Sequence, residues 1–465
     1  MPAAPMTDTT LEPLVRSLRG ALLRPDDDGY DAARQLWNAM IDDRPALIAR
    51  CTGVADVMAA VRFAREHGLT VAVRGGGHNV AGLASVEGGM MIDLSRMRAV
   101  DVDPEARIAR VQGGALWGDV DHETQAFGLA TPSGIISTTG VAGLTLGGGF
   151  GWLARAYGLA ADNLLSVDVV NADGTFVKAS PQENADLFWA IRGGGGNFGI
   201  VTSFEFRLHE VGPEVLFGPT VYRLGDAPEV LRHYRTFANE APEACTVYAD
   251  FLTAPPLPFL SQEVHGTTVL FLMQCYAGPV EDGKEVLRPL REFGQPLADA
   301  VAPTRYAEAQ RRSDPLYPIG GRYYWKSHNL AALSDEVVDA LAECAATMPN
   351  PLCDILIQQL GGRIAELAPD ATAYPHRDAG FVVTLGGRAE RPADDEQCIT
   401  WARACHERLA EHAADGVYVN FLSHDEGDER RQAAFGDNTD RLRQVKACYD
   451  PNNFFRRNHN IEPRP

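Results

Sequence analysis

A histidine placed directly after three glycines can react with whatever the glycine backbone holds. Residues 71–82 read VAVRGGGHNVAG. A β-branched run ends at Arg74, and Gly75, Gly76 and Gly77 then lead to His78, Asn79 and Gly82. Glycine combines φ/ψ freedom with an absent side chain, so main-chain N–H groups can close on an anionic ligand such as a pyrophosphate. His78 would then stand at the lip of a phosphate nest, where an imidazole is reactive rather than packed. Alone, the segment reads equally well as a tight turn with a solvated histidine. Two more glycine-dense stretches, 134–151 and 193–199, argue for one ligand shared by three loops.

The elements that must position these loops follow from apolar spacing. Leu11, Leu14, Val15, Leu18 and Leu22 predict a helix over 9–24. The strand ALIARC is followed by a helix with Val54, Val57, Met58, Val61 and Ala64 on one face and Gly68 as its stop. A strand at 90–95, a strand pair about 103–106 and a helix ending at Gly128 come next. Residues 131–159 are too glycine-rich for a stable helix core and too long for a simple turn, the mark of a segment wrapped around something. Residues 164–171 and FVKAS predict a hairpin turning at Asp173-Gly174. Gly194, Gly196 and Gly199 fit GxGxxG, but a helix precedes them and a strand follows. That is the reverse of the order a Rossmann turn requires, which excludes one.

Beyond residues 209–220 the glycine clusters thin out. Strands such as VLFLMQCY, DILIQQLGG and GFVVTLGG alternate with amphipathic helices, predicting an antiparallel sheet with helices on one face that walls a pocket. At 465 residues with 45% apolar content, two domains are expected. A formal charge of -20 disfavours nucleic acid and anionic membrane as partners. The eight scattered cysteines contain no CxxC and predict unpaired thiols in a reducing compartment. With no leader pattern and no apolar window of membrane length, a soluble cytoplasmic protein is expected. No histidine pair stands at ligand spacing with a carboxylate helper, so no metal is expected, and His459 is read as a surface or core residue.

RGGGHNVAG, TPSGIISTTGVAGLTLGGGFGWLARAYGLAADNL, DLFWAIRGGGGNFGIVTSFEF, YVNF and VKACYDPNNFF, in that order, resemble the berberine bridge enzyme-like branch of the FAD-linked oxidases of the vanillyl-alcohol oxidase (PCMH-type) superfamily. The resemblance implies an α+β chain. A PCMH-type FAD-binding domain of two α/β subdomains would span 1–212 and be completed by 416–465, with an α+β substrate domain over 213–415. It implies FAD bonded covalently through His78. A second tether in relatives is a cysteine at the position of Ile136, so a single bond through His78 is expected. Cofactor contacts are implied for Arg74, Gly75, Gly76, Gly77, Asn79 and Gly82 in the first loop. The second loop contributes Pro132, Ser133, Gly134, Ser137, Thr138, Gly140, Gly143, Leu144 and Gly148, and the third contributes Gly199, Ile200 and Val201. Asn420 is implied beside the flavin ring.

The resemblance also implies that Thr139 fills the space near flavin C4a. A small residue there admits dioxygen, so an oxidase releasing hydrogen peroxide is expected, with a dehydrogenase or a redox-silent flavin carrier as alternatives. Several relatives have a tyrosine base after Asn420, where this chain has Phe421. The remaining candidates for the chemistry are Tyr418, Tyr323, Tyr324, Lys326, Gln358, Gln359, Tyr374, His376 and Arg377. Strand alternation lets at most one of Gln358 and Gln359 face the flavin. The substrate is expected to be a small secondary metabolite with a hydroxyl, amine or activated carbon. Oligomeric state is left open.

Overall fold

Strand and helix alternate through the first hundred residues, and the computed structural model, which describes residues 7–464, folds them into a four-stranded sheet. In it β1 (Ala21–Leu23) runs antiparallel to β2 (Leu47–Arg50), while β2 and β3 (Val71–Arg74) flank β4 (Met90–Asp93) in parallel. The crossover helix Val54–Glu66 buries Val57, Ala60, Val61 and Ala64 against this sheet, and Gly68 ends it at φ +64°. The first helix is shorter than its apolar spacing predicts, running Asp8–Ser17. The chain turns at Gly20, where a Cβ would overlap the Arg50 carbonyl, and Asp56 accepts the amides of Arg19 and Gly20. Leu22 therefore lies in β1.

Both predicted hairpins form. β5 (Val100–Asp103) pairs with β6 (Ile108–Gln112), and β8 (Leu164–Val170) pairs with β9 (Phe176–Ala179). β10 (Ile200–Arg207) joins them in an antiparallel sheet of order β5-β6-β10-β8-β9. A short ladder of β7 (Leu129–Ala130) and β11 (His209–Glu210) lies beside it. Helix Ala185–Ile191 precedes the third glycine stretch and β10 follows it, the order that excluded a Rossmann turn.

The middle of the chain forms an eight-stranded antiparallel sheet from β12 (Glu214–Arg223), β13 (Cys245–Thr253), β14 (Thr268–Tyr276), β15 (Ala298–Asp299), β16 (Ala302–Arg305), β17 (Arg322–Leu330), β18 (Asp354–Gln359) and β19 (Phe381–Ala389). Its order is β15-β12-β14-β13-β18-β19-β17, with β16 also on β12. Helices Ala227–Glu240, Asp335–Ala346 and Asp395–Leu409 cover one face, packing Tyr234, Leu341 and Trp401 onto Val247, Ile355, Ile357, Val383 and Leu385. Because side chains alternate along a strand, Asp354, Leu356 and Gln358 of β18, Thr384 and Gly386 of β19 and Trp325 of β17 share the opposite face with the glycine loops.

Two buried ion pairs join sequence-distant parts. Arg377 holds Asp162, at the end of the second glycine region, through two hydrogen bonds of 2.6 and 2.8 Å. In helix Thr439–Tyr449, Lys446 Nζ pairs with Asp450 at 2.6 Å and donates to the carbonyls of Asn197 (2.7 Å) and Phe455 (3.2 Å). Asp450 in turn accepts the amides of Phe454 and Phe455. The motif VKACYDPNNFF is thus a plug that fixes the third glycine stretch from behind. Among the described residues no helix is long and apolar enough to cross a membrane. All eight cysteines are unpaired, seven of them buried.

Candidate active site

The first glycine loop leaves β3 with Arg74 turned away from the cavity. This is a correction to the expected cofactor contact: Arg74 Nε and Nη2 donate to Asp93 at 2.9 and 2.6 Å, and Nη1 donates to the carbonyls of Ala33 and Gln35. Arg74 braces the loop's base, while the bare backbone of Gly75–Gly77 faces the cavity. Gly76 lies so close to Gly140 that a Cβ on either would overlap the other's main chain. The first and second loops therefore meet backbone to backbone, as only glycine permits.

His78 follows on this loop, its ring stacked on Trp37 (4.0 Å, 18°), and Trp37 is stacked in turn on Tyr323 (3.7 Å, 7°). Asn38 locks the stack by donating to the carbonyls of Val80 and Tyr323 and accepting the Tyr323 amide. His78 Nε2 is sealed from solvent without a hydrogen-bond partner. Burial pushes the imidazole pKa down to about 4, so the ring is neutral at pH 7. A neutral imidazole keeps a lone pair, which a nucleophile needs.

One cavity connects all three loops. Besides His78, Asn79 lines it from the first loop, and Gly134, Thr139, Gly140, Gly143 and Leu144 line it from the second. Gly199, Ile200 and Val201 line it from the third. Gly82, Pro132, Ser133, Ser137, Thr138 and Gly148 do not line it, correcting the direct contacts expected of them. Gly82 packs on Ile41, and Gly148 lies against the ring of Tyr374. Ser133 accepts a hydrogen bond from Gln310 at 2.5 Å, and Ser137 is bonded through its amide and hydroxyl to Asp314 (2.8 and 2.5 Å). These serines tie the second loop to the sheet domain rather than to a ligand.

On the wall facing the glycines, Asn420 Nδ2 donates to the Leu144 carbonyl (3.1 Å) and the Tyr418 hydroxyl (2.8 Å). The same hydroxyl accepts the Gly149 amide at 3.1 Å, and burial raises the phenol well above its ordinary pKa. Tyr418 thus keeps its proton and fixes the Asn420 side chain through its hydroxyl. Gln358 lines the cavity with Oε1 unpartnered, whereas Gln359 turns to the helix layer and bonds Val247 and Ala238. Tyr324 is a further correction. Its hydroxyl donates to Asp425 (2.8 Å) and accepts from Arg403 (3.0 Å), and Lys326 joins the same carboxylate at 2.9 Å, all on the helix-covered face. Tyr374 and His376 are buried outside the cavity, with His376 on the Ala434 carbonyl.

Among the lining residues that sequence reasoning missed are Trp37, Tyr317, Trp325, Asp354 and His459. His459 was expected at the surface or in a satisfied core. It borders the third loop instead, Nε2 sealed and unpartnered, its pKa pushed down to about 4 by burial and by Arg431. Asp354 shares the strand parity of Gln358, the signal that could have found it.

The glycine backbone of three loops on one side, and a sheet face bearing Gln358, Asp354 and Trp325 on the other, leave room for a nucleotide cofactor with a substrate beside it. This arrangement is that of a nucleotide-cofactor enzyme with a separate substrate wall. A family model described as FAD binding domain matches residues 45–180, and one described as berberine and berberine like matches 417–462. An FAD-linked oxidoreductase of Dictyostelium discoideum is 32% identical over 96% of this chain and 95% of its own. The (R)-6-hydroxynicotine oxidase of Paenarthrobacter nicotinovorans is 30% identical over 96% of this chain and 97% of its own. The crystal structure of 6-hydroxy-D-nicotine oxidase from Arthrobacter nicotinovorans superposes with a TM-score of 0.86 at 29% identity, covering 96% of this chain and 99% of that one. The chain belongs to the berberine bridge enzyme-like FAD-linked oxidoreductases, with a PCMH-type FAD-binding fold.

Proposed function

We propose that this enzyme is an oxidase whose FAD is bonded covalently through His78 alone, and that it takes hydride from a small secondary metabolite. The carrying observation is the neutral, unpartnered ring nitrogen of His78 at a cavity walled by three glycine loops. FAD held by these loops would supply a two-electron acceptor that can be reoxidised by dioxygen to give hydrogen peroxide. Ile136 lines the second loop where a second tether would need cysteine, and no cysteine lines the cavity among the described residues. On this reading residues 1–212 and 416–465 hold the cofactor and 213–415 cover it.

The chain's own residues then divide the work. Asn420 is held still by Leu144 and Tyr418 and orients the reacting partners. Gln358 offers a free acceptor to a substrate O–H or N–H, and the small side chain of Thr139 leaves room for dioxygen. Phe421 and Trp325, their rings 5.9 Å apart, keep water from the wall. With phenylalanine at 421, substrates needing no strong base are favoured: a neutral amine or an activated carbon. Similarity to the hydroxynicotine oxidases supports a small-molecule substrate.

The test is acid denaturation of the purified protein beside His78→Ala. Yellow colour should stay with the wild-type pellet and leave that of the variant, and a turnover substrate should release peroxide. Flavin that washes free of the wild-type pellet overturns the tether. Reoxidation by air over minutes rather than seconds after anaerobic reduction would replace oxidase by dehydrogenase.

A further inference from the structure

Asp354 is the single carboxylate lining the cavity among the described residues, and no lysine or arginine lines it. It is 3% exposed, at the start of β18, where β19 places Gly386 directly opposite and β17 places Trp325 opposite Gly386 in turn. The three positions form one row across the sheet: a carboxylate, a bare glycine and an indole, all facing the cavity. A Cβ on Gly386 would overlap Asp354 Oδ1, so the missing side chain makes the space in which that oxygen stands.

Asp354 Oδ2 is engaged. It accepts the Tyr317 hydroxyl at 2.5 Å and faces Arg388 Nη2 at 3.7 Å. Oδ1 has no hydrogen bond among the described residues. Asp250 lies in the same cluster, 6% exposed, its Oδ1 buried and unpartnered, so two carboxylates share one guanidinium. The acceptors beside them, Thr384 Oγ1 and Gln358 Oε1, are also buried without partners. The wall therefore has unmet acceptors alongside unmet donors, Trp325 Nε1 and Arg388 Nε, and two carboxyl groups to one guanidinium. Burial raises both carboxyls above the usual carboxylate range, Asp250 the further because repulsion from Asp354 adds to burial, and Arg388 opposes both shifts.

We propose that the slot over Gly386, between Asp354 and Trp325, is a specificity site for a protonated amine of the substrate. An ammonium there donates to Asp354 Oδ1, lies on the electron-rich indole face and completes the charge balance of the pair of carboxylates. The carbon that loses hydride is then a different one, because a carbon bearing a protonated nitrogen has no lone pair to expel hydride. The inference deepens the oxidase reading, which it needs in order to call the ligand a substrate.

The test uses the protein as purified, under anaerobic conditions at pH 7, with benzylammonium and its neutral isostere benzyl alcohol as probes and dissociation constants from calorimetry. Wild type is expected to bind the ammonium roughly tenfold or more tighter, the worth of a charge-assisted hydrogen bond. Asp354→Asn should remove that preference and leave benzyl alcohol within about twofold. Gly386→Ala keeps the charge but displaces the oxygen, and should lose the preference as well; it decides alone if Asp354→Asn does not fold. A wild type that binds both probes equally, or a preference surviving in a folded variant, overturns the site. Flavin content is scored separately on each sample. A colourless wild type that still prefers the ammonium would count against the flavin reading and not against Asp354.

Discussion

Glycine positions in the second loop separate folding from cofactor binding at the level of single atoms. At Gly140 a Cβ meets the backbone of Gly76, which cannot move aside, so Gly140→Ala should lower the urea midpoint, at a cost of about 1–3 kcal/mol. Gly143, in helix Val141–Leu146, faces the cavity with nothing within 4 Å of an added Cβ. Gly143→Ala should fold at least as well, by up to about 1 kcal/mol of helix propensity, yet retain less flavin, because the methyl enters the ligand's space. Full flavin in a stable Gly143→Ala protein would contradict that placement. The sequence was legible here in part. His78, Gly140 and Gly143 stand in runs whose composition has few other uses. Trp37 and Asp354 were not legible, because their meaning comes from partners far along the chain: Trp37 stacks on Tyr323, 286 positions away, and Asp354 depends on a gap opposite it on another strand.

Elements explain which candidates reach the cavity. Trp325 and Tyr324 are neighbours in sequence, but β17 turns one to the cavity and the other to the helix layer. Alternation showed from sequence that Gln358 and Gln359 point to opposite faces, but it could not say which one meets the cavity, nor rank Tyr323, Tyr324 and Trp325, without knowing which face was covered. The C-terminal helix is a different device. Lys446 and Asp450 have fully buried side chains and hold the third glycine stretch through the Asn197 carbonyl. Removing one partner leaves an uncompensated buried charge, so Lys446→Met should cost about 3–5 kcal/mol. Thermal unfolding measures this, and a variant within about 1 kcal/mol of wild type would show that the plug is dispensable.

Across the whole molecule, the buried histidines should make the fold lose stability on mild acidification. Burial holds His209, His328 and His459 at about 4 and His406 at about 3, against about 6.5 for an unfolded histidine. Between about pH 6.5 and 4 these four histidines bind more protons in the unfolded chain than in the folded one, so their contribution to stability falls as pH drops through that window, and only the buried carboxyls raised by burial, Asp121 among them, act in the opposite direction. The urea midpoint should therefore be lower at pH 5 than at pH 7.5. His406→Gln, which removes one ring of the stacked His328–His406 pair (4.0 Å, 10°), should lessen the drop. A midpoint unchanged by acidification would mean that these rings are hydrated in the folded state.

The Lys446 plug also sets a timetable for biosynthesis. Its nitrogen grips a carbonyl 249 positions upstream. Until Lys446 has been made, the loop around Asn197 stands without this anchor. That stretch should therefore reach its final rigidity only after the much later helix is synthesised and docks, a long-range closure of the kind that slows folding.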